Sequence, residues 1–103
     1  MKNLQVRNME SSKGNLVPNQ FVIEINGCVY FQSYRSVIAK VEDTEQGKQL
    51  TLGSDWDYSR TTSKYLQLFL RAYCWKFAGL TKKEMQKLID NKTVKYVAAE
   101  VWS

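Results

Sequence analysis

A chain of 103 residues and 12.0 kDa has room for one hydrophobic core. Its 44% hydrophobic and 24% charged residues exclude intrinsic disorder. Fifteen Lys and Arg against ten Asp and Glu give a net charge of +5, and histidine is absent, which excludes His-dependent triads, His-ligated metals and imidazole pH switches.

In chain order, residues 1–19 are polar, include the single proline Pro18, and read as a flexible or frayed N-terminal arm ahead of one α+β domain over 20–103. Phe21, Ile23 and Ile25 alternate with Val22, Glu24 and Asn26, which predicts a strand with its strongly apolar face on the odd positions. Asn26-Gly27 then predicts a type I′ hairpin, because both residues tolerate positive φ. Cys28 to Ser33 forms the return strand, Ser36 to Glu42 a third, and Gln49 to Leu52 a short fourth beyond the acidic turn at 42–47.

Ser59 to Phe77 has helical period. Tyr65, Leu66, Phe69, Leu70, Tyr73 and Phe77 fall on one side, with Arg60, Lys64, Gln67 and Arg71 opposite. Ser59 or Thr61 would cap its start and Gly79 would end it. Thr81-Lys82-Lys83-Glu84 is a capping box opening a second helix, with Leu80 and Met85 placed as a hydrophobic staple and Asn91 as the C-terminal cap. Val94 to Trp102 reads as a last strand. The expected architecture is an antiparallel meander of about four strands, two helices packed on one sheet face, and a C-terminal strand. Its first and last strands would be edges, open to pairing with a second copy.

Two cysteines, Cys28 and Cys74, are too few for a disulfide framework, and the polar start resembles no secretory leader. With no apolar run of membrane-spanning length, these features predict a cytoplasmic protein with reduced thiols. For chemistry, Asp55 and Asp57 could begin a hard-cation site, but no spacing supplies further ligands, and acids before a helix commonly serve the helix dipole. Neither cysteine has a flanking base, and no glycine-rich phosphate loop is present. The expectation is a protein that is not an enzyme and carries no metal or cofactor.

Charge points instead to contact. From Tyr58 to Lys95 there are nine basic residues and two acidic ones, against six and five over residues 1–53. Arg60, Lys64, Gln67 and Arg71 form one helical stripe that Trp75 would continue, with Lys82, Lys83 and Lys87 extending it from the second helix. Arginine beside exposed aromatics suits phosphate contact and base stacking as well as protein anchoring. The plainer reading is a solvated lysine-rich face with Trp75 tucked against Gly79. Tyr30, Tyr34, Trp56, Tyr58 and Trp102 cannot all be buried in so small a domain.

Two segments carry a resemblance. Phe31-Gln32-Ser33-Tyr34-Arg35-Ser36-Val37-Ile38-Ala39, with its S-Y-x-S-x-I-A pattern, and Trp56 to Tyr65, with W-x-x-S-x-T-T-x-K-Y, resemble short proteins of bacterial phages and mobile elements. The resemblance spans Phe21 to Trp75 and carries no activity residue by residue. It implies an accessory protein that counters host defence, as anti-CRISPR proteins do, by masking a CRISPR effector nuclease or its guide RNA in the bacterial cytoplasm. On that reading the contacts are Arg60, Lys64, Arg71, Trp75, Lys82, Lys83 and Lys87. The alternative is a small basic nucleic-acid-binding protein regulating mobile-element genes. Within the second segment, Ser59, Thr61 and Thr62 offer hydroxyls at a helix start, for capping or for an anion beside Arg60 and Lys64.

Overall fold

A computed structural model describes residues 4–11 and 13–98. It is an α+β fold with one mixed six-stranded sheet in the order β1-β2-β3-β4-β5-β6 and two α-helices inserted before the last strand. The strands are β1 (Gln5–Glu10), β2 (Leu16–Ile25), β3 (Cys28–Ser33), β4 (Ser36–Thr44), β5 (Gly47–Gly53) and β6 (Lys95–Val97). The helices are α1 (Arg60–Tyr73) and α2 (Lys82–Asp90), separated by a 3₁₀ turn at Trp75–Phe77. No described helix is long and apolar enough to cross a membrane.

The sheet has more strands than the sequence predicts. The stretch expected as an arm or frayed strand contains β1 and the start of β2, and β1 runs antiparallel to β2 from Gln5 opposite Glu24 to Asn8 opposite Phe21. Met9 is the one β1 side chain in the core, while Val6 is exposed, so β1 is held chiefly by main-chain pairing. Arg7 also reaches from β1 to Glu24 and to the Tyr73 hydroxyl on α1. The last strand departs from the meander: β6 pairs parallel to β5, Leu52 beside Tyr96, and the two helices supply the crossover a parallel pair needs. The expected extension of this strand to Trp102 lies outside the described residues.

The apolar face of β2 is the reverse of the one expected. Gln20 and Val22 are buried, whereas Phe21, Ile23 and Ile25 are half-buried on the opposite face, paired with Gln32, Tyr30 and Cys28. Cross-strand partners share a face, so Val22, Phe31, Ala39 and Leu52 form one continuous buried row under α1. Periodicity finds the alternation but not its phase, because both faces of this strand carry bulky apolar residues. On β4 the register slips by one residue: Phe31 faces Ala39 while Gln32 faces Val37. Ile38 is therefore the extra residue of a β-bulge, which explains how Ile38 and Ala39 can be buried in succession.

Helix α1 closes the core. Thr62, Tyr65, Leu66, Phe69 and Leu70 are its buried side, and the Phe69 ring stacks on Phe31 of β3 with centroids 5.7 Å apart. The helix ends at Tyr73, short of the expected Phe77, where the Cys74 N–H bonds to the Leu70 carbonyl. Phe77 is still buried, because the tighter 3₁₀ turn returns it to the apolar side. Gly79, at φ +79°, follows that turn instead of ending α1. Met85 of α2 and Val94 complete the same core cluster. Cys28 is half-buried and Cys74 buried, both as free thiols, and burial pushes the Cys74 thiol up.

Two local expectations match closely. Asn26 and Gly27 both have positive φ, at +53° and +79°, as a type I′ turn requires. The α2 capping box is complete: the Glu84 N–H donates to Thr81 Oγ1 at 3.1 Å, and the Thr81 N–H to Glu84 Oε1 at 2.9 Å. The Thr81 backbone and hydroxyl donors hold the Glu84 carboxyl below the usual carboxylate range. A lowered folded-state pKa gives stability that is present above the unfolded value, near 4.3, and lost as pH falls through the folded value. In an NMR titration, Glu84 should therefore titrate below about 4.3, and the first-turn amides of α2 should exchange faster as it protonates. A midpoint at or above the unfolded value would refute this account of the cap.

Candidate functional site

The two segments that carry the resemblance, separated in sequence by β5, meet at the amino end of α1. Between them lies a cavity of about 790 Å³ lined by residues of the β3–β4 hairpin tip (Ser33, Tyr34, Arg35, Ser36) and by Ile38 of β4. Its other wall is Asp55, Tyr58, Ser59, Thr61 and Thr62, with Asn19 closing the side. Two hydrogen bonds tie the walls together, and a third, from Ser59 to Thr62, lies within the second wall. Ser33 Oγ and Thr62 Oγ1 lie 3.0 Å apart, Ser59 Oγ donates to Thr62 Oγ1 at 3.2 Å, and Ser36 Oγ donates to Asp55 Oδ2 at 2.9 Å. Of the two capping candidates, Ser59 is the one used, accepting from the Thr62 N–H at 3.1 Å.

Both tyrosines of this cavity are exposed, Tyr34 by 53% and Tyr58 by 77%. Trp56 is buried, Tyr30 is half-buried, and Trp102 lies outside the described residues. Tyr34 holds φ +56° at the first turn position of a two-residue hairpin, a place that favours glycine. Arg35 has no ion pair with a described acidic residue, although Asp55 lines the same cavity. Sequence spacing missed Asn19, Tyr34, Arg35 and Ser36 as site residues. Tyr34, Arg35 and Ser36 lie within the first of the two segments that carry the resemblance, the one signal that could have found them; Asn19 lies outside both.

The basic residues expected to make contacts occupy a different surface. Arg60, Lys64 and Arg71 are exposed along α1, and neither Arg60 nor Arg71 has an ion pair with a described acid. The Lys64 ammonium lies 5.4 Å from the Tyr65 ring centroid. Gln67, in the same stripe, is not free for a partner: its Oε1 accepts from the Gly79 N–H at 2.7 Å and ties the 3₁₀ turn back onto α1. Trp75 does not continue the helical line, since it opens the 3₁₀ turn, but at 78% exposure it is not tucked against Gly79 either.

On α2, Lys83 and Lys87 stand one turn apart and exposed, with no ion pair to a described acid, although the Lys87 charge acts on the Glu84 carboxyl. Lys82 is engaged, its ammonium 3.0 Å from Asp57 Oδ2. Arg71 and Lys82 both line a second cavity, about 330 Å³, between α1 and α2. The fold thus separates Asp55 and Asp57: one bonds Ser36 and the other pairs with Lys82. No cluster of three metal-ligating side chains occurs among the described residues.

Residues 4–91 match the family of unknown function DUF8033, and the chain belongs to that family. No curated protein and no solved structure matches the chain.

Proposed function

We propose that this member of the family works by contact and not by turnover, binding an acidic partner through the outward face of α1 and the turn beyond it. The observation that carries this reading is Trp75. A tryptophan left 78% exposed, four residues after Arg71, which has no described acidic partner, has the composition of an interface anchor. Arg60 and Lys64 extend the surface toward the amino end of α1, and Lys83 and Lys87 add charge from α2.

The resemblance to phage and mobile-element proteins supplies the partner class: a host defence nuclease in the bacterial cytoplasm, such as a CRISPR effector, masked on an acidic surface or on its guide RNA. A chain of net charge +5 cannot imitate duplex DNA by its charge. Purified protein should therefore suppress cleavage by such effectors, and Arg71→Glu combined with Trp75→Ala should abolish the suppression. Undiminished cleavage across several effector subtypes would overturn the reading. Lys83 and Lys87, exposed and in no ion pair with a described acid, favour a second reading, bare nucleic acid, which predicts mobility shifts that weaken steeply with salt. Blank shifts at low salt would dispose of it.

A further inference from the structure

The cavity at the amino end of α1 has a chemistry that the contact surface does not use. It offers two exposed aromatic faces, Tyr34 and Tyr58, on opposite walls. It has one guanidinium, Arg35, with no described acidic partner. Its carboxylate, Asp55, accepts only a hydroxyl donor from Ser36 in the described structure. Opposite charges that share a cavity and do not pair are each left available to a ligand.

We propose that this cavity binds a nucleotide, either free or as the unpaired end of a strand. Its volume of about 790 Å³ lies in the range of ligand pockets and exceeds what one nucleoside phosphate fills. The tyrosine rings provide the stacking surface that every base can use. Arg35 provides a planar fork for phosphate. The first turn of α1 contains no acidic residue, so nothing there opposes an anion, and the Thr61 hydroxyl lies on the same wall. Asp55 and Asn19 supply the acceptor and amide that sugar hydroxyls require. A bare anion would meet the Asp55 carboxylate, and a purely apolar ligand would leave Arg35 and Asp55 unmet.

Beside the cavity wall, Gln20 is fully buried across the strand pair from Ser33, and neither amide atom has a described partner. The site is independent of the proposed contact surface. Trp75 lies beyond the carboxyl end of α1, about 20 Å away along a 14-residue helix.

The test is an NMR titration of the full chain with adenosine and uridine monophosphates, the matching nucleosides, and a short single-stranded RNA and DNA with and without a 5′-phosphate. Shifts should concentrate at Tyr34–Ser36 and Tyr58–Thr62. Tyr58→Ala and Arg35→Ala should each weaken binding by about tenfold or more with unchanged Tm, and Tyr58→Phe should restore it. Arg71→Glu with Trp75→Ala should leave it intact. Binding of the mononucleotides assigns the free nucleotide; binding of the oligonucleotide alone at the same amides assigns the strand end. No shift at millimolar nucleotide or micromolar oligonucleotide, or shifts that survive both single-alanine variants, would overturn the proposal.

Discussion

Phe69→Ala should destabilise the protein by about 3–5 kcal/mol, the largest effect expected of a single side chain here. The ring is fully buried, stacks on Phe31, and lies 5.1 Å from the Tyr73 ring, so truncation opens a cavity where sheet and helix meet. Domains of this size hold roughly 5–15 kcal/mol in total, so the loss is a large share of it. The transition temperature should fall by on the order of 15–25 °C. The informative control is Phe21→Ala. Its ring is only half-buried on the opposite face of the sheet, so it should cost less than half as much. Equal losses for the two variants would place Phe21 in the core and contradict the register of β2.

The second large effect has the opposite sign. Gln20 is fully buried and its side-chain amide has no described partner. An unmet buried donor or acceptor costs about 1–3 kcal/mol, whereas an apolar group of similar shape costs nothing comparable. Gln20→Met keeps the length of the side chain and removes both unmet groups, so it should raise stability by about 1–2 kcal/mol. Denaturant midpoints with an unchanged m-value would register this as a true stability gain. A loss of stability would mean the amide is satisfied in solution. The position also sits beside the proposed nucleotide cavity, and a residue kept at the expense of stability is a mark of function.

How far the fold could be read in advance depended on how local its causes are. The Asn26-Gly27 turn and the Thr81–Glu84 box were legible, and the cap of α1 was narrowed to Ser59 or Thr61, because each is settled by a few neighbouring residues and their hydrogen bonds. The apolar stripe of α1 was legible for the same reason up to Tyr73. Its apparent continuation to Phe77 was a coincidence of phase, since a 3₁₀ turn brings Phe77 back to the same side. Strand β1 was illegible because Met9 is its single buried residue, too little to set a period; main-chain pairing with β2 defines it. The parallel β6 pairs across a crossover of about forty residues, a relation no local pattern encodes.

The candidate sites divide along the same line. The basic stripe was legible because a helix places residues four apart on one face, and Arg60, Lys64 and Arg71 do lie exposed there. Its two refinements were not. Gln67 is taken by the Gly79 amide, and Lys82 by Asp57, through contacts that close only in the folded chain. The cavity was visible in sequence only as the two segments that carry the resemblance, with the hydroxyls of Ser59, Thr61 and Thr62 in the second. That they face one another follows from the Ser33–Thr62 and Ser36–Asp55 hydrogen bonds, which span 29 and 19 residues.

The claim on which the functional reading rests is that contact runs through the α1 face and Trp75. Affinity capture from bacterial cells, with tagged wild-type chain beside the Arg71→Glu, Trp75→Ala double variant and with nuclease treatment in parallel, addresses it directly. A protein partner should survive nuclease treatment with the wild-type chain and be lost with a folded double variant. A partner retained equally by both chains would contradict it.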